Sequence, residues 1–367
     1  MNNDKIRFNK NNSPPFYRIL NKRVNAYFSD HNIKKTGNFR LHVKTLVMLA
    51  LFVSPYFTIL FASIPGWAML GLCAIMGAGM TGIGVNVMHD GNHNSYSDKK
   101  WVNKIMGGSM YFLAGNVYNW QVQHNILHHT YTNIHGYDED IDSGGVFRFS
   151  EHSKWSPFHR FQHIYSMLIY GLLTVNWVTT DDFKQTKRYL KRKLSYGKFP
   201  NPAAQWASVI ISKILYLIIW IVIPLLVLDA PWYFILLGFF IMHFVAGMML
   251  SIIFQLAHVL EDTETPLPDE SGSINNSWAI HQLFTTTNFG TKNRFLSWLS
   301  GGLNHQVEHH IFPHISHIHY PEISKIIKQT AREFDLPYNE YETMRSALVA
   351  HFKQLKHLGA KPRSFTS

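Results

Sequence analysis

The sequence contains four long apolar blocks separated by polar stretches. The blocks cover residues 45–63, 67–88, 207–228 and 232–257. Each has close to the ~20 residues that a helix needs to cross ~30 Å of hydrocarbon. The short segments 64–66 and 229–231 join the blocks in pairs, and a proline in each favours a tight turn. We therefore predict an all-α, polytopic membrane protein with four transmembrane helices in two hairpins.

Two further apolar segments, 106–117 and 164–178, are shorter and interrupted. They fit interfacial or re-entrant helices better than full spans. We expect three parts of the chain: a basic cytoplasmic leader over 1–41, a membrane domain over 42–325, and a cytoplasmic helical tail over 326–367. The middle part contains the histidine clusters described below, which should form a cap on the cytoplasmic side.

The positive charge of the chain lies between the apolar blocks. The formal net charge is +11, and 33 of the 34 Lys and Arg residues lie in 1–44, 99–204 and 292–367. This distribution follows the positive-inside rule, so both termini and the histidine clusters should face the cytoplasm, at the inner membrane if the source is bacterial. The long stretches without cations, 45–98 and 214–291, argue against nucleic-acid binding.

Histidine is the most unusual feature of the composition, with 22 residues that are clumped rather than scattered. The clusters read HDGNH at 89–93, HNILHH at 124–129, a single His258 after the fourth block, and HQVEHH at 305–310. On an α-helix, residues at i and i+4 share a face, so His124 should pair with His128, and His129 should lie about 140° around the helix. Because the clusters follow the ends of inward spans, we expect them to converge at one membrane face.

The number of imidazoles indicates two metal ions. Eight or more exceed the four places of one zinc ion, and the only cysteine, Cys73, excludes a Cys-ligated cluster. Mostly nitrogen ligands fit iron that activates dioxygen, and a site at the membrane boundary suggests oxidation of a lipid C–H bond. A zinc membrane hydrolase or a metal transporter is the alternative from another class, although a transporter should hold its ligands at mid-membrane.

The remaining histidines have simpler interpretations. His243 lies inside an apolar block and is expected to be a hydrogen-bonded core residue. We expect His31, His42, His351 and His357 to be ordinary surface residues.

The boxes HDGNH, HNILHH, QLAH and HQVEHH, in this order, resemble those of the membrane fatty acid desaturases, whose second box has the form HX2–3HH. The resemblance covers roughly residues 45–320. It implies that two irons, with O2 as co-substrate, remove two hydrogens from an acyl chain. The implied metal ligands are His89, His93, His124, His128, His129, His258, His309 and His310. A ninth position falls on Gln306, which the motif register favours, or on the adjacent His305.

With Gln306 at its first position, the third box is similar to that of front-end desaturases of the delta-5/delta-6 type and of bacterial linoleoyl-CoA desaturase-like members. The resemblance implies a fatty acyl substrate, linked to lipid or to CoA. Since the sequence has no HPGG haem motif, it also implies a separate electron donor, either ferredoxin or cytochrome b5. A di-iron hydroxylase or ketolase acting on acyl chains or sphingolipids is the alternative. Asp90, Asp138 and Asp142 are candidate carboxylates that orient ligating imidazoles.

Overall fold

The computed structural model of the chain describes residues 6–9 and 14–362. Four of its helices are long and apolar enough to cross a membrane: Phe39–Phe61, Gly66–Asn92, Pro202–Val227 and Trp232–His258. Their mean hydropathy runs from 1.8 to 2.6. Within the described residues no other helix meets the same criteria of length and hydropathy. The all-α class and the four predicted spans are therefore confirmed.

Two spans begin earlier than the apolar blocks because polar side chains cap them. Asn38 accepts a hydrogen bond from Arg40 N at 2.9 Å, at the start of the first span. Asn201 accepts from Ala203 N at 2.9 Å, at the start of the third. Asparagine is among the preferred N-cap residues because its side chain satisfies an otherwise unpaired backbone N–H. Helix capping thus sets these two boundaries.

The chain divides into two compact units. The first contains residues 1–35, 123–166 and 253–367, and the second contains 36–122 and 167–252.

In the second unit the first two spans approach each other closely at Gly79. A Cβ atom there would lie 2.7 Å from backbone atoms of Leu51 and Phe52. Small residues allow membrane helices to pack backbone against backbone in this way. Gly71, earlier in the same helix, has no atom within 4 Å of its Cβ position.

Lys213, on the third span, forms a buried ion pair with Asp182 within the second unit. The Lys213 Nζ donates to Asp182 Oδ2 at 2.5 Å and to Trp177 O at 2.7 Å, and it also donates to Ala114 O. The other Asp182 oxygen accepts from Asn119 Nδ2 at 2.9 Å. The lysine is therefore fully paired by oxygen acceptors, as a charge within a membrane helix must be.

The core of the first unit contains an N-terminal helix, Phe16–Asp30. Its residues Phe16, Leu20, Val24 and Phe28, at four-residue intervals, are buried in one hydrophobic cluster. The same cluster includes Ile280, Leu283, Val307, Ile311, Ile323 and Ile327. The segment predicted as a polar leader therefore contains an amphipathic helix that packs against the helices around the third histidine box.

The other regular elements are short. The α-helices outside the spans are Phe16–Asp30, Lys100–Gly108, Val117–Trp120, His129–Tyr131, Gln162–Gly171, Leu173–Asn176, Asp182–Lys191, Trp278–Thr285, Arg294–Leu299, Gln306–Ile311, Tyr320–Glu333 and Met344–Gly359. The 3-10 helices are Ser109–Leu113, Pro157–Phe161 and His317–His319, and the π-helical turns are Gly84–Met88, Gln121–His128, Trp177–Asp181 and Ile218–Val222. Two parallel strand pairs join Arg7–Phe8 to Ser273–Ile274 and Asn288–Phe289 to Glu340–Tyr341, with Arg7 opposite Ser273 and Asn288 opposite Glu340.

Candidate metal centre

Three buried histidines meet in the first unit. His128, His258 and His310 each offer one ring nitrogen, and these three atoms lie within 4.8 Å of one another. The Nε2 atoms of His128 and His310 are 3.2 Å apart. The three side chains come from the second box, the end of the fourth span and the third box. The structure thus brings together residues that are separated by up to 182 positions in the sequence.

Each of these histidines has its Nδ1 atom against an oxygen acceptor. Nδ1 of His128 lies 3.0 Å from Asp138 Oδ2, Nδ1 of His310 lies 3.0 Å from Gln282 Oε1, and Nδ1 of His258 lies 3.3 Å from Thr285 O. Carboxylate, amide and carbonyl oxygens accept hydrogen bonds, so Nδ1 donates in all three. The neutral tautomer that results carries its lone pair on Nε2, which is the form that ligates metals.

The distances between the ring nitrogens show whether these three histidines could bind a metal cation. The Nε2 atoms of His128 and His310 are 3.2 Å apart, and two lone pairs at this distance would repel each other, so the contact requires either a proton on one nitrogen or a metal cation beside both. Two nitrogens held ~2.1 Å from one ion stand this far apart at an angle of roughly 100°. In addition, the Nε2 of His258 is buried and has no hydrogen-bond partner among the described residues. The three histidines therefore fit a shared metal ion.

The charge states of two of these side chains agree with that fit. Burial, together with the neighbouring histidines, lowers the pKa of His310 well below its usual value, so this imidazole is neutral. Burial also lowers the pKa of His128, but Asp138 and Asp140 outweigh it and raise the pKa to about 9. In the metal-free chain both ring nitrogens of His128 therefore carry a proton, and the proton on Nδ1 faces the carboxylates. A bound cation would replace the proton on Nε2.

A second set of histidines in the first unit is formed by His124, His129 and His309. The Nε2 atoms of His124 and His129 are 3.2 Å apart, and the ring centroids of His129 and His309 are 4.5 Å apart. The His309 Nδ1 lies 3.3 Å from the Tyr320 hydroxyl. The rings of His124 and His309 are stacked, with centroids 5.6 Å apart. These three histidines from the second and third boxes thus lie within contact of one another.

The second box departs from the geometry that its spacing predicts. α-Helical spacing predicts His124 and His128 on one face, and their rings are stacked with centroids 5.3 Å apart, but it also predicts His129 about 140° away. Residues Gln121–His128 instead form a π-helical turn, in which hydrogen bonds join residues five apart. Residues five apart therefore lie one above the other, and His129 comes to lie beside His124.

The first box lies in the second unit. The ring centroids of His89 and His93 are 4.6 Å apart, and both rings contact Trp120, at 5.8 and 5.7 Å. A π-helical turn, Gly84–Met88, precedes this box too. A Cβ atom at Gly91 would lie 2.4 Å from Gly107 N, so the glycine of HDGNH is required by the close approach of the helix Lys100–Gly108. That this pair shares metals with the other boxes stays a prediction.

Within the third box, His305 lies apart from the groups of candidate metal ligands that contain His309 and His310. His305 belongs to none of the groups of three or more metal-binding side chains among the described residues, and its Nδ1 lies 3.7 Å from Glu308 Oε2. Glu308 itself accepts hydrogen bonds from Asn288 Nδ2 at 2.8 Å and from the Tyr338 hydroxyl at 2.9 Å. Glu308 therefore anchors the helix of the box. The assignment of Gln306, which is buried, as a metal-facing residue stays a prediction.

Of the three candidate carboxylates, Asp138 contacts a histidine most closely. It is fully buried and also accepts from Asn133 N at 2.8 Å. Asp142 is exposed and caps Gly144 N at 3.0 Å instead. Asp140, which sequence reasoning missed, has its Oδ2 3.3 Å from His128 Nδ1. Asp90 has its Oδ1 3.9 Å from His89 Nδ1.

The histidines outside the boxes follow the predictions with one exception. His243 is a buried core residue, hydrogen-bonded to the Tyr216 hydroxyl at 3.1 Å and to Thr174 Oγ1 at 3.0 Å. His31, His42 and His357 are exposed. The prediction for His351 was wrong: its side chain is buried and its Nδ1 lies 2.8 Å from Val259 O, because the helix Met344–Gly359 buries one face.

These features define a polytopic membrane protein with buried histidine clusters suited to metal binding. The chain belongs to the fatty acid desaturase family, because the family model described as "Fatty acid desaturase" matches residues 65–342. The protein is therefore an oxidoreductase. The resemblance drawn from the histidine boxes is confirmed.

Several relatives of established name extend this match over nearly the whole chain. The sn-1 linoleoyl-lipid 6-desaturase of Synechocystis is 36% identical over 348 residues, which cover 94% of this chain and 95% of the relative. The protein of the same name from Arthrospira platensis is 35% identical, covering 98% of this chain and 96% of the relative. The acyl-lipid (8-3)-desaturase of Physcomitrium patens is 33% identical, covering 94% of this chain and 72% of the relative.

Proposed function

We propose that this protein is a front-end acyl desaturase with a di-iron centre held by its histidine boxes. The observation that carries the proposal is the pair of Nε2 atoms of His128 and His310, which face each other at 3.2 Å while each Nδ1 is held by an acceptor. The relatives named as 6-desaturases and (8-3)-desaturases support the front-end type. Their names also favour a lipid-linked acyl substrate over a CoA-linked one.

The proposed ligands fall into two groups by position in the fold. In the first unit they are His124, His128, His129, His258, His309 and His310, and in the second unit they are His89 and His93, with Gln306 as a ninth candidate. When bound, the two irons would supply the activation of dioxygen. Overall, O2 takes two hydrogens from the acyl chain, together with two electrons and two protons from outside, and leaves as two water molecules.

The residues of the chain hold this centre in one geometry. Asp138 and the carbonyl oxygen of Thr285 fix the orientation of His128 and His258 through their Nδ1 atoms. Burial of all three central histidines excludes water from the imidazoles, and neutral rings are the form that binds iron. The protein thus supplies position and a dry environment, while the regiochemistry depends on which carbons of the substrate reach the site.

Orientation and electron supply are also part of the proposal. The positive-inside distribution of Lys and Arg supports a cytoplasmic location for both termini and the histidine boxes. The electrons would come from a separate small carrier, either ferredoxin or cytochrome b5, and the basic face would attract an acidic one.

Heterologous expression followed by analysis of fatty acid methyl esters tests the proposal. The wild-type chain should introduce a new double bond on the carboxyl side of an existing one. His128→Ala should abolish product with unchanged membrane insertion, and the exposed His31→Ala serves as the matched control. Hydroxylated products would favour the hydroxylase alternative instead. A full product yield from His128→Ala, or one zinc in place of two irons by metal analysis, would overturn the proposed centre.

A further inference from the structure

Gln282 is a buried amide in contact with the candidate metal centre. It lies on the helix Trp278–Thr285 and is fully inaccessible to solvent. Its Oε1 is 3.0 Å from Nδ1 of His310 and 2.9 Å from Oγ1 of Thr132. Oγ1 of Thr132 also lies 2.7 Å from the carbonyl oxygen of His128 and 3.2 Å from Nδ1 of His310. One amide oxygen therefore contacts both the ring of one candidate ligand and the backbone turn that carries another.

The other end of this amide is unsatisfied. Gln282 Nε2 is buried and has no hydrogen-bond partner among the residues that the structure describes. A buried donor without a partner lowers stability, so an apolar residue of similar size would be favoured at this position if packing were its only role. The presence of an amide at this position points to a requirement for its oxygen.

The two ends of an amide would have opposite effects on His310. If the oxygen faces Nδ1, that nitrogen carries the proton and Nε2 keeps its lone pair. If the NH2 group faced Nδ1, the proton would move to Nε2, which could then no longer bind a metal. In the structure the oxygen occupies this position, where Oε1 lies 3.0 Å from Nδ1 of His310 and 2.9 Å from Oγ1 of Thr132.

We propose that Gln282 is a positioning residue of the centre: its Oε1 accepts the Nδ1 proton of His310 and so keeps the Nε2 lone pair directed at Nε2 of His128. This inference rests on the proposed metal centre and deepens it. Gln282 would orient the ring of His310 through Nδ1 as Asp138 orients that of His128, with a neutral amide oxygen as the acceptor in place of a carboxylate.

The test is Co²⁺ binding by the full-length protein in detergent, measured by competition with a chelating dye and by the visible spectrum of the bound ion. Gln282→Met removes the acceptor at similar length and should weaken binding about 10–100-fold. Gln282→Glu supplies only acceptor oxygens at the same position and should restore binding and the spectrum to near the wild-type state. This rescue is specific to the proposed role, because a donor at this position would not be replaced by a carboxylate.

Gln162→Met is the matched control. Gln162 is also fully buried in the first unit, donates to Leu355 O at 2.7 Å and accepts from Arg148 N at 2.8 Å, but contacts no histidine of the boxes. It should lower thermal stability and leave the Co²⁺ affinity and spectrum unchanged.

The outcomes distinguish the existence of the metal centre from the role of Gln282 in it. If wild type binds Co²⁺ and His128→Ala does not, the centre stands, and wild-type affinity in Gln282→Met would overturn the role of Gln282. Equal losses in Gln282→Met and Gln162→Met, or no rescue by Gln282→Glu, would also overturn it. Absence of Co²⁺ binding by wild type, with no change in His128→Ala, would overturn both the centre and this inference.

Discussion

Lys213→Met removes a charge from the third span while keeping most of the apolar length of the side chain. In the native protein Nζ donates to Asp182 Oδ2, to Trp177 O and to Ala114 O. The substitution leaves the carboxylate of Asp182 buried, with only 4% of its surface exposed. A buried carboxylate without its cation is strongly destabilising, because the desolvation penalty is no longer offset.

The cost can be bounded from the remaining partners. Removal of one member of a buried ion pair typically costs about 3–5 kcal/mol. Asp182 keeps two hydrogen-bond donors, Asn119 Nδ2 at 2.9 Å and Asn116 N at 3.3 Å. We therefore expect a loss of stability at the lower end of this range, about 3 kcal/mol. The double variant Lys213→Met/Asp182→Asn removes both charges and keeps an acceptor for Asn119. It should cost only about 1 kcal/mol, the net value of a lost hydrogen bond.

Unfolding in detergent, followed by tryptophan fluorescence against denaturant, gives the free energy of unfolding for each variant. Lys198→Met, at an exposed position, should change it by less than ~0.5 kcal/mol. The single variant should also lose desaturase activity at temperatures that wild type tolerates, since Asn119 lies two residues before the turn of the second box. A double variant at least as unstable as Lys213→Met would refute the reasoning, because it would show that the two charges do not compensate each other.

Two further substitutions test separate parts of the structure. Asp138→Asn should weaken Co²⁺ binding about 10–100-fold, because it removes the carboxylate that orients His128. Asp142→Asn should leave the affinity unchanged, because Asp142 bonds to Gly144 N instead. Equal effects of the two substitutions in a dye-competition titration would contradict the assigned contact between Asp138 and His128. Gly79→Ala should lower the free energy of unfolding by about 1–3 kcal/mol because its Cβ would overlap a neighbouring backbone. Gly71→Ala in the same helix should be neutral or stabilising by up to ~1 kcal/mol, and a loss as large as that of Gly79→Ala would show that close packing is not the cause.

The spans and the histidine boxes could be predicted because both depend on local features. A run of about 20 apolar residues is sufficient to indicate a span, whatever surrounds it. The clustering of His124, His128 and His310 into boxes is equally visible in the sequence. The buried face of the helix Phe16–Asp30, with apolar residues at four-residue intervals, was also visible in principle, but the high charge of the segment obscured it.

Of the three acceptors that contact the central histidines, only Asp138 was a candidate from the sequence, and the other two could not be predicted. Gln282 and Thr285 lie 28 and 27 positions from the histidines they contact, in a helix with no motif that distinguishes them from core residues. Their role follows only from the tertiary packing of that helix against the boxes. His351 was mistaken for a surface residue for the same reason: burial of a single histidine depends on packing partners that are remote in sequence.

The π-helical turn of the second box has a consequence for how insertions in such motifs are tolerated. In an α-helix the residue four positions on lies above the first, whereas in this turn the residue five positions on does so. An HX2HH box on an α-helix and an HX3HH box on a π-helical turn would therefore each superimpose the first and last histidines. A one-residue insertion at this site need not displace a histidine of the box, since the backbone can widen by one residue to accommodate it.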